Sequence, residues 1–211
     1  MRRRLMIFAG VVVAAALAAP AIAKDSMAPL TADQRIRVES VNAYLSGLKT
    51  VRGRFSQSDP QGGLSSGTLW LKRPGKARFQ YDPPADLLVV SDGDNVTIND
   101  RRLKTFDQYP LGMTPLGLLL AKQVRLDRGV VIAAVNETQG GFSVTAKDGK
   151  KPTDGSITLM FSTTPMALTG WVVIDGQGQR TQIALSTLDP VVDLDPKLFV
   201  LRDPKPRSGR P

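Results

Sequence analysis

Few residues in this chain could carry a reaction, and none is placed to do so. Asp92, Asp94 and Asp100 lie close together, but without the spacing of a calcium loop, and turns are where aspartate ordinarily sits. Asp193 and Asp195 read as turn and cap residues rather than an acid/base pair. No helix follows Asp175-Gly176-Gln177-Gly178, so it is not a phosphate loop. The chain has no histidine, which removes Ser-His-Asp catalysis, the usual base near neutral pH and the commonest metal ligand. There is no G-x-S-x-G elbow, so a hydrolase is the weakest reading. No cysteine is present either, so the chain lacks the residue on which a bacterial lipoprotein is acylated. No enzyme activity, metal or cofactor is expected. The group that stands out is Arg73, a permanent cation with five donors at the end of a strand whose same-parity residues are Leu69 and Leu71.

The elements that would position it run from Gly67 to Gly93. Leu69, Leu71, Phe79 and Tyr81 fall on a period of two, the mark of a strand, and Ala85–Ser91 is a nearly continuous apolar run that reads as a strand covered on both faces. Arg73-Pro74-Gly75, Asp82-Pro83-Pro84 and Asp92-Gly93 are the turns between these strands.

Residues 1–23 read as a signal peptide: Arg2, Arg3 and Arg4, then an apolar run from Leu5 to Leu17, then the small-x-small site Ala21-Ile22-Ala23. The apolar run is shorter than the roughly 20 residues a membrane-spanning helix needs. Cleavage after Ala23 leaves 188 of the 211 residues, with 25 basic against 19 acidic side chains. That length suits one domain over 24–203. The modest positive excess suits anionic membrane surfaces or acidic partners, whereas scattered charge in an exported chain argues against nucleic acid.

Thr31–Leu48 has a capping box in Thr31 and Gln34 and an apolar stripe of Val38, Val41, Leu45 and Leu48. It packs either outside a sheet or as a plug inside an open barrel. Strands follow at Thr50–Gln57, Asn95–Asn99 and Arg102–Phe106. Leu111–Val124 breaks the rhythm: Thr114 is placed as an N-cap before Pro115, and Leu116, Leu118, Leu119 and Leu120 cover more than one helical face. This is either a buried helix or a lid, and Gly112 and Gly117 favour something that moves. Strands return at Val130–Glu137, Phe142–Lys147, Ser156–Ser162, Leu168–Asp175 and Thr181–Leu188. A helical turn at Asp195–Phe199 then precedes a short terminal strand, and residues 204–211 form a disordered tail. The pattern predicts a mainly β chain of the α+β class, a meandering antiparallel sheet of about 11 strands curled toward a barrel.

Five short motifs, in order, resemble the outer-membrane lipoprotein carrier (LolA) family: Gly53-x-Phe55-x-Gln57, Gly67-x-Leu69-x-Leu71-Lys72-Arg73-Pro74, Arg78-x-x-Tyr81-x-x-Pro84, Ser91-Asp92-Gly93 and Thr114-Pro115-Leu116. The likeness is densest over 50–122. It implies a single open, incomplete β-barrel with helices as plug and lid. It also implies an acyl-chain cavity on Leu69, Leu71, Phe79, Tyr81, Leu87 and Val89, a lid carrying Leu116, Leu119 and Leu120, and Arg73 as the latch that holds the empty cavity shut. The implied function is that of a monomeric periplasmic chaperone of a Gram-negative bacterium. It would receive lipid-modified proteins from an inner-membrane lipoprotein-releasing ABC transporter and pass them to an outer-membrane acceptor. A related periplasmic lipid-binding or envelope-stress-sensing protein is the alternative. Family cavities are aromatic-rich, and only 12 residues here are Phe, Tyr or Trp.

Overall fold

The computed structural model describes residues 29–122, 126, 129–150 and 155–203. The predicted signal peptide, the tail at 204–211 and the last residues of the Leu111–Val124 segment lie outside them. Helix α1 spans Ala32–Gly47. Its capping box forms as the sequence predicts: the Gln34 backbone N–H donates to Thr31 Oγ1 at 3.2 Å, and the Thr31 N–H donates to Gln34 Oε1 at 3.0 Å. Replacing Thr31 with alanine removes the acceptor of the Gln34 N–H and leaves that donor unpaired. It should cost about 1 kcal/mol and lower the melting temperature by about 2–4 °C in a domain of this size, measured by thermal circular dichroism.

Eleven strands form one antiparallel sheet. They are β1 Thr50–Ser58, β2 Leu64–Lys72, β3 Lys76–Tyr81, β4 Leu87–Asp92, β5 Asn95–Asp100 and β6 Thr105–Pro110, then β7 Val130–Thr138, β8 Gly141–Asp148, β9 Gly155–Thr163, β10 Met166–Asp175 and β11 Arg180–Pro190. The order across the sheet is β6-β5-β4-β3-β2-β1-β11-β10-β9-β8-β7. The first and last strands therefore pair at its centre, and β6 and β7, consecutive in the chain, are its two free edges. The barrel does not close, and the segment from Pro110 to Val130 runs from one edge to the other. That segment contains a 3₁₀ turn at Leu111–Met113 and the short helix α2, Leu116–Leu120.

Strand register decides which side chains meet. Gly53, Leu69, Phe79, Val89 and Ile98 stand opposite one another in one row, and Val51, Leu71, Ala77, Ser91 and Val96 in the next. Both rows face the same side because the side-chain period is two. In the other half, Val144, Leu159, Trp171 and Ile183 form the matching row. Val38, Val41 and Leu45 of α1 join these rows in one buried cluster, with Val41 and Leu45 at 0% exposure. The helix is thus a plug on the concave face, which decides between the two placements its stripe allowed. Arg37 ties it to the β7 edge through Glu137 at 2.8 Å.

The apolar run of β4 is covered on both sides, as predicted. Val89 faces the interior. Leu88 and Val90 face out, 6% and 2% exposed, where the C-terminal turn Pro196–Phe199 packs on β3 and β4. Three local expectations differ. Strand β6 begins at Thr105 instead of Arg102, because the Leu103 N–H is taken by the Asp100 carboxylate at 2.8 Å and Arg101–Lys104 become the turn. No strand follows Phe199: residues 200–203 pair with no ladder, and the outward-facing Val200 is exposed. Thr114 does not cap α2; its hydroxyl donates back to the Leu111 carbonyl at 2.8 Å.

Candidate functional site

The concave interior is aromatic at its centre. Phe55 meets Phe79 and Tyr81 edge-on at 5.6 and 5.1 Å, and Phe79 meets Trp171 at 6.1 Å. Gly67 makes room for the Phe55 ring, since a Cβ there would lie 2.7 Å from it. The Tyr81 hydroxyl donates to Gln57 Oε1 at 2.6 Å, and burial pushes its pKa up to about 12, so it stays protonated. Further round, Phe142 stacks on Phe161 at 5.4 Å, and Tyr44 of α1 meets Phe161 edge-on. Although the chain holds few aromatics, most of them converge here.

Leu119 and Leu120 enter the same cluster with 0% and 1% exposure, and Leu116 and Leu118 pack against it. Part of this apolar interior is therefore occupied by a five-residue helix that has no side-chain cap at its N-terminal end. A space of about 570 Å³ remains beside that helix, between Leu111, Met113, Pro115 and Leu118 on one side and Ala146, Lys147 and Ile157 on the other.

The turn after β2 fastens the helix. Arg73 Nη2 donates to the Ala121 carbonyl at 2.6 Å, and Nη1 to the Leu48 carbonyl at the end of α1 at 3.5 Å. One cation thus joins the C-terminal ends of both helices, where unpaired carbonyls favour positive charge. Arg73 Nε is buried with no partner, and burial pulls the guanidinium pKa below its ordinary value. Alongside, the Gly75 backbone N–H donates to the Leu120 carbonyl at 2.9 Å.

Of the residues singled out in the sequence, Leu69, Leu71, Phe79, Leu119 and Leu120 meet in the buried cluster, with Tyr81, Val89 and Leu116 against it. Leu87 stands apart: it is half-buried at the start of β4, opposite Asp100, and outside the cluster. Sequence reading placed Phe55 in a family motif and Gly75 in a turn without giving either a part in the site, and it passed over Trp171. Phe55 and Trp171 sit on strands with the right alternation. Gly75 was visible only as a turn glycine, because its role comes from a main-chain N–H.

An unclosed antiparallel barrel, plugged by one helix and roofed by another, defines an open β-barrel with a helical lid. Residues 46–202 match the outer membrane lipoprotein carrier protein LolA family, and this chain belongs to that family. The outer-membrane lipoprotein carrier protein of Chromohalobacter salexigens is 31% identical over 191 residues, 84% of this chain and 88% of that one. That of Chromobacterium violaceum is 29% identical over 196 residues, 90% and 93% of the two chains. Among solved structures, a LolA superfamily protein from Nitrosomonas europaea aligns with a TM-score of 0.44 and 9% identity over 78% of this chain and 97% of that chain.

Proposed function

We propose that this protein is a periplasmic chaperone that holds the acyl chains of lipid-modified proteins in its concave interior. It takes them from an inner-membrane lipoprotein-releasing ABC transporter and passes them to an outer-membrane acceptor. The names of its relatives support the cargo class. The observation that carries the reading is the full burial of Leu119 and Leu120 in the same cluster as Phe55, Phe79 and Trp171, on a helix fastened through hydrogen bonds to two main-chain carbonyls, Leu120 O and Ala121 O.

Keeping an acyl chain of around 14 methylenes out of water is worth on the order of 11 kcal/mol at about 0.8 kcal/mol each. A carrier that kept all of it could not release its cargo. Here the cargo displaces leucines that already fill the interior, so net affinity falls by the free energy of closing the lid. Release is then a closure, with Arg73 re-engaging the Ala121 carbonyl as the acyl chains leave. The residues assigned to the cavity are Leu69, Leu71, Phe79, Tyr81 and Val89, with Phe55 and Trp171 added.

Mass spectrometry of the protein purified from periplasm under non-denaturing conditions tests the assignment. Bound triacylated protein or peptide is the expected result. Free phospholipid alone would contradict it.

A further inference from the structure

Ser91 is out of character with its surroundings. It stands in the inward row between Ala77 and Val96 and is 1% exposed, the one polar side chain in a row otherwise of Val51, Leu71, Ala77 and Val96. Its hydroxyl donates to the Gly75 carbonyl at 2.7 Å. Gly75 has φ +80° and presses on the next turn: a Cβ on it would lie 2.8 Å from Gly93 Cα. That next turn is itself rigid, because the Asp92 carboxylate accepts from the N–H groups of Asp94 and Asn95 at 2.9 and 2.8 Å. The Asp94 carbonyl accepts the Leu111 N–H at 2.8 Å, and the Gly75 N–H reaches the Leu120 carbonyl at 2.9 Å. One small assembly of two touching turns therefore holds the lid segment at both ends.

We propose that Ser91 is a positioning residue for the lid. By fixing the Gly75 carbonyl, it keeps the Gly75 N–H aimed at Leu120 O, a second fastening that acts in parallel with Arg73. This rests on the lid reading above. A hydroxyl is suited to the task because serine is small enough to leave the lid's space free and donates without a charge to desolvate. It accounts for a polar side chain in a row of apolar ones. It also explains why glycine is needed at Gly75: any side chain there would push the two turns apart.

The test uses the empty protein and an apolar dye, phenylnaphthylamine, that fluoresces when it enters a hydrocarbon interior. A weakened lid admits dye more readily. Ser91→Ala is expected to raise dye affinity by about 2- to 12-fold, the worth of one neutral hydrogen bond. Ser91→Thr, which keeps the hydroxyl, should return it toward wild type, and Gly75→Ala should raise it. A role confined to general stability would lower the urea midpoint of Ser91→Ala and leave dye affinity unchanged, overturning the proposal. So would equal rises in the alanine and threonine variants. Arg73→Leu, measured beside them, separates the two ideas. If it raises dye affinity while Ser91→Ala does not, only the Ser91 proposal falls. If neither does, the lid reading falls with it.

Discussion

Arg73→Leu is expected to load cargo and then fail to let it go. Leucine makes the position apolar and removes the donors that reach Ala121 O and Leu48 O. In the closed state those carbonyls lose a charged donor, a loss of about 1–3 kcal/mol. The substitution also relieves a buried cation whose Nε has no partner, which offsets part of that loss. The Gly75 N–H still holds Leu120, so closure is weakened, not abolished. Cargo no longer competes against the full closing energy, and its affinity should rise, with roughly 150-fold as the upper bound if nothing were offset. Transfer of a triacylated lipopeptide from loaded protein to acceptor vesicles gives the comparison. The variant should retain its lipopeptide under conditions where wild type empties, and equal release from both would remove Arg73 from the mechanism.

Phe79→Glu should abolish binding. Phe79 is 6% exposed and touches both Phe55 and Trp171 edge-on. A carboxylate there faces only hydrocarbon, and an unpaired buried charge is very costly. Losing the ring alone removes packing worth about 3–5 kcal/mol. Retention of lipopeptide should fall at least 100-fold. The neighbouring Gln80 points to the opposite face and is exposed, so Gln80→Glu should bind as wild type does. The pair is read by lipopeptide pull-down, with far-ultraviolet circular dichroism to show that both variants are folded. A folded Phe79→Glu protein that still binds would mean this face does not hold the acyl chains.

The sheet was legible because its strands alternate and its turns carry proline, glycine and aspartate where the chain reverses. Helix α1 was legible at both ends from Thr31, Gln34 and its stripe, but not its side of the sheet. Whether Val41 and Leu45 fill the concave face is decided by pairing between β1 and β11, a contact between the two ends of the chain that no local pattern encodes. For the same reason Phe79 could be read as inward-facing while Trp171, contributed by the distant β10, was passed over. Leu87 had the right parity for the interior, yet it lies at the strand's end, beyond the packed cluster. Alternation gives a side chain its face, not its depth. Arg73 drew notice as a charge out of place. The Gly75 N–H left no such trace, since every residue but proline has one.

The central claim is that acyl chains and the lid leucines take turns in one interior. Amide hydrogen exchange across Leu116–Ala121, in empty protein and in protein loaded with a synthetic triacylated lipopeptide, tests it directly. The empty protein should protect these amides, and loading should expose them while β1 to β5 stay protected. Equal protection of the lid in both states, with lipopeptide bound, would contradict the account.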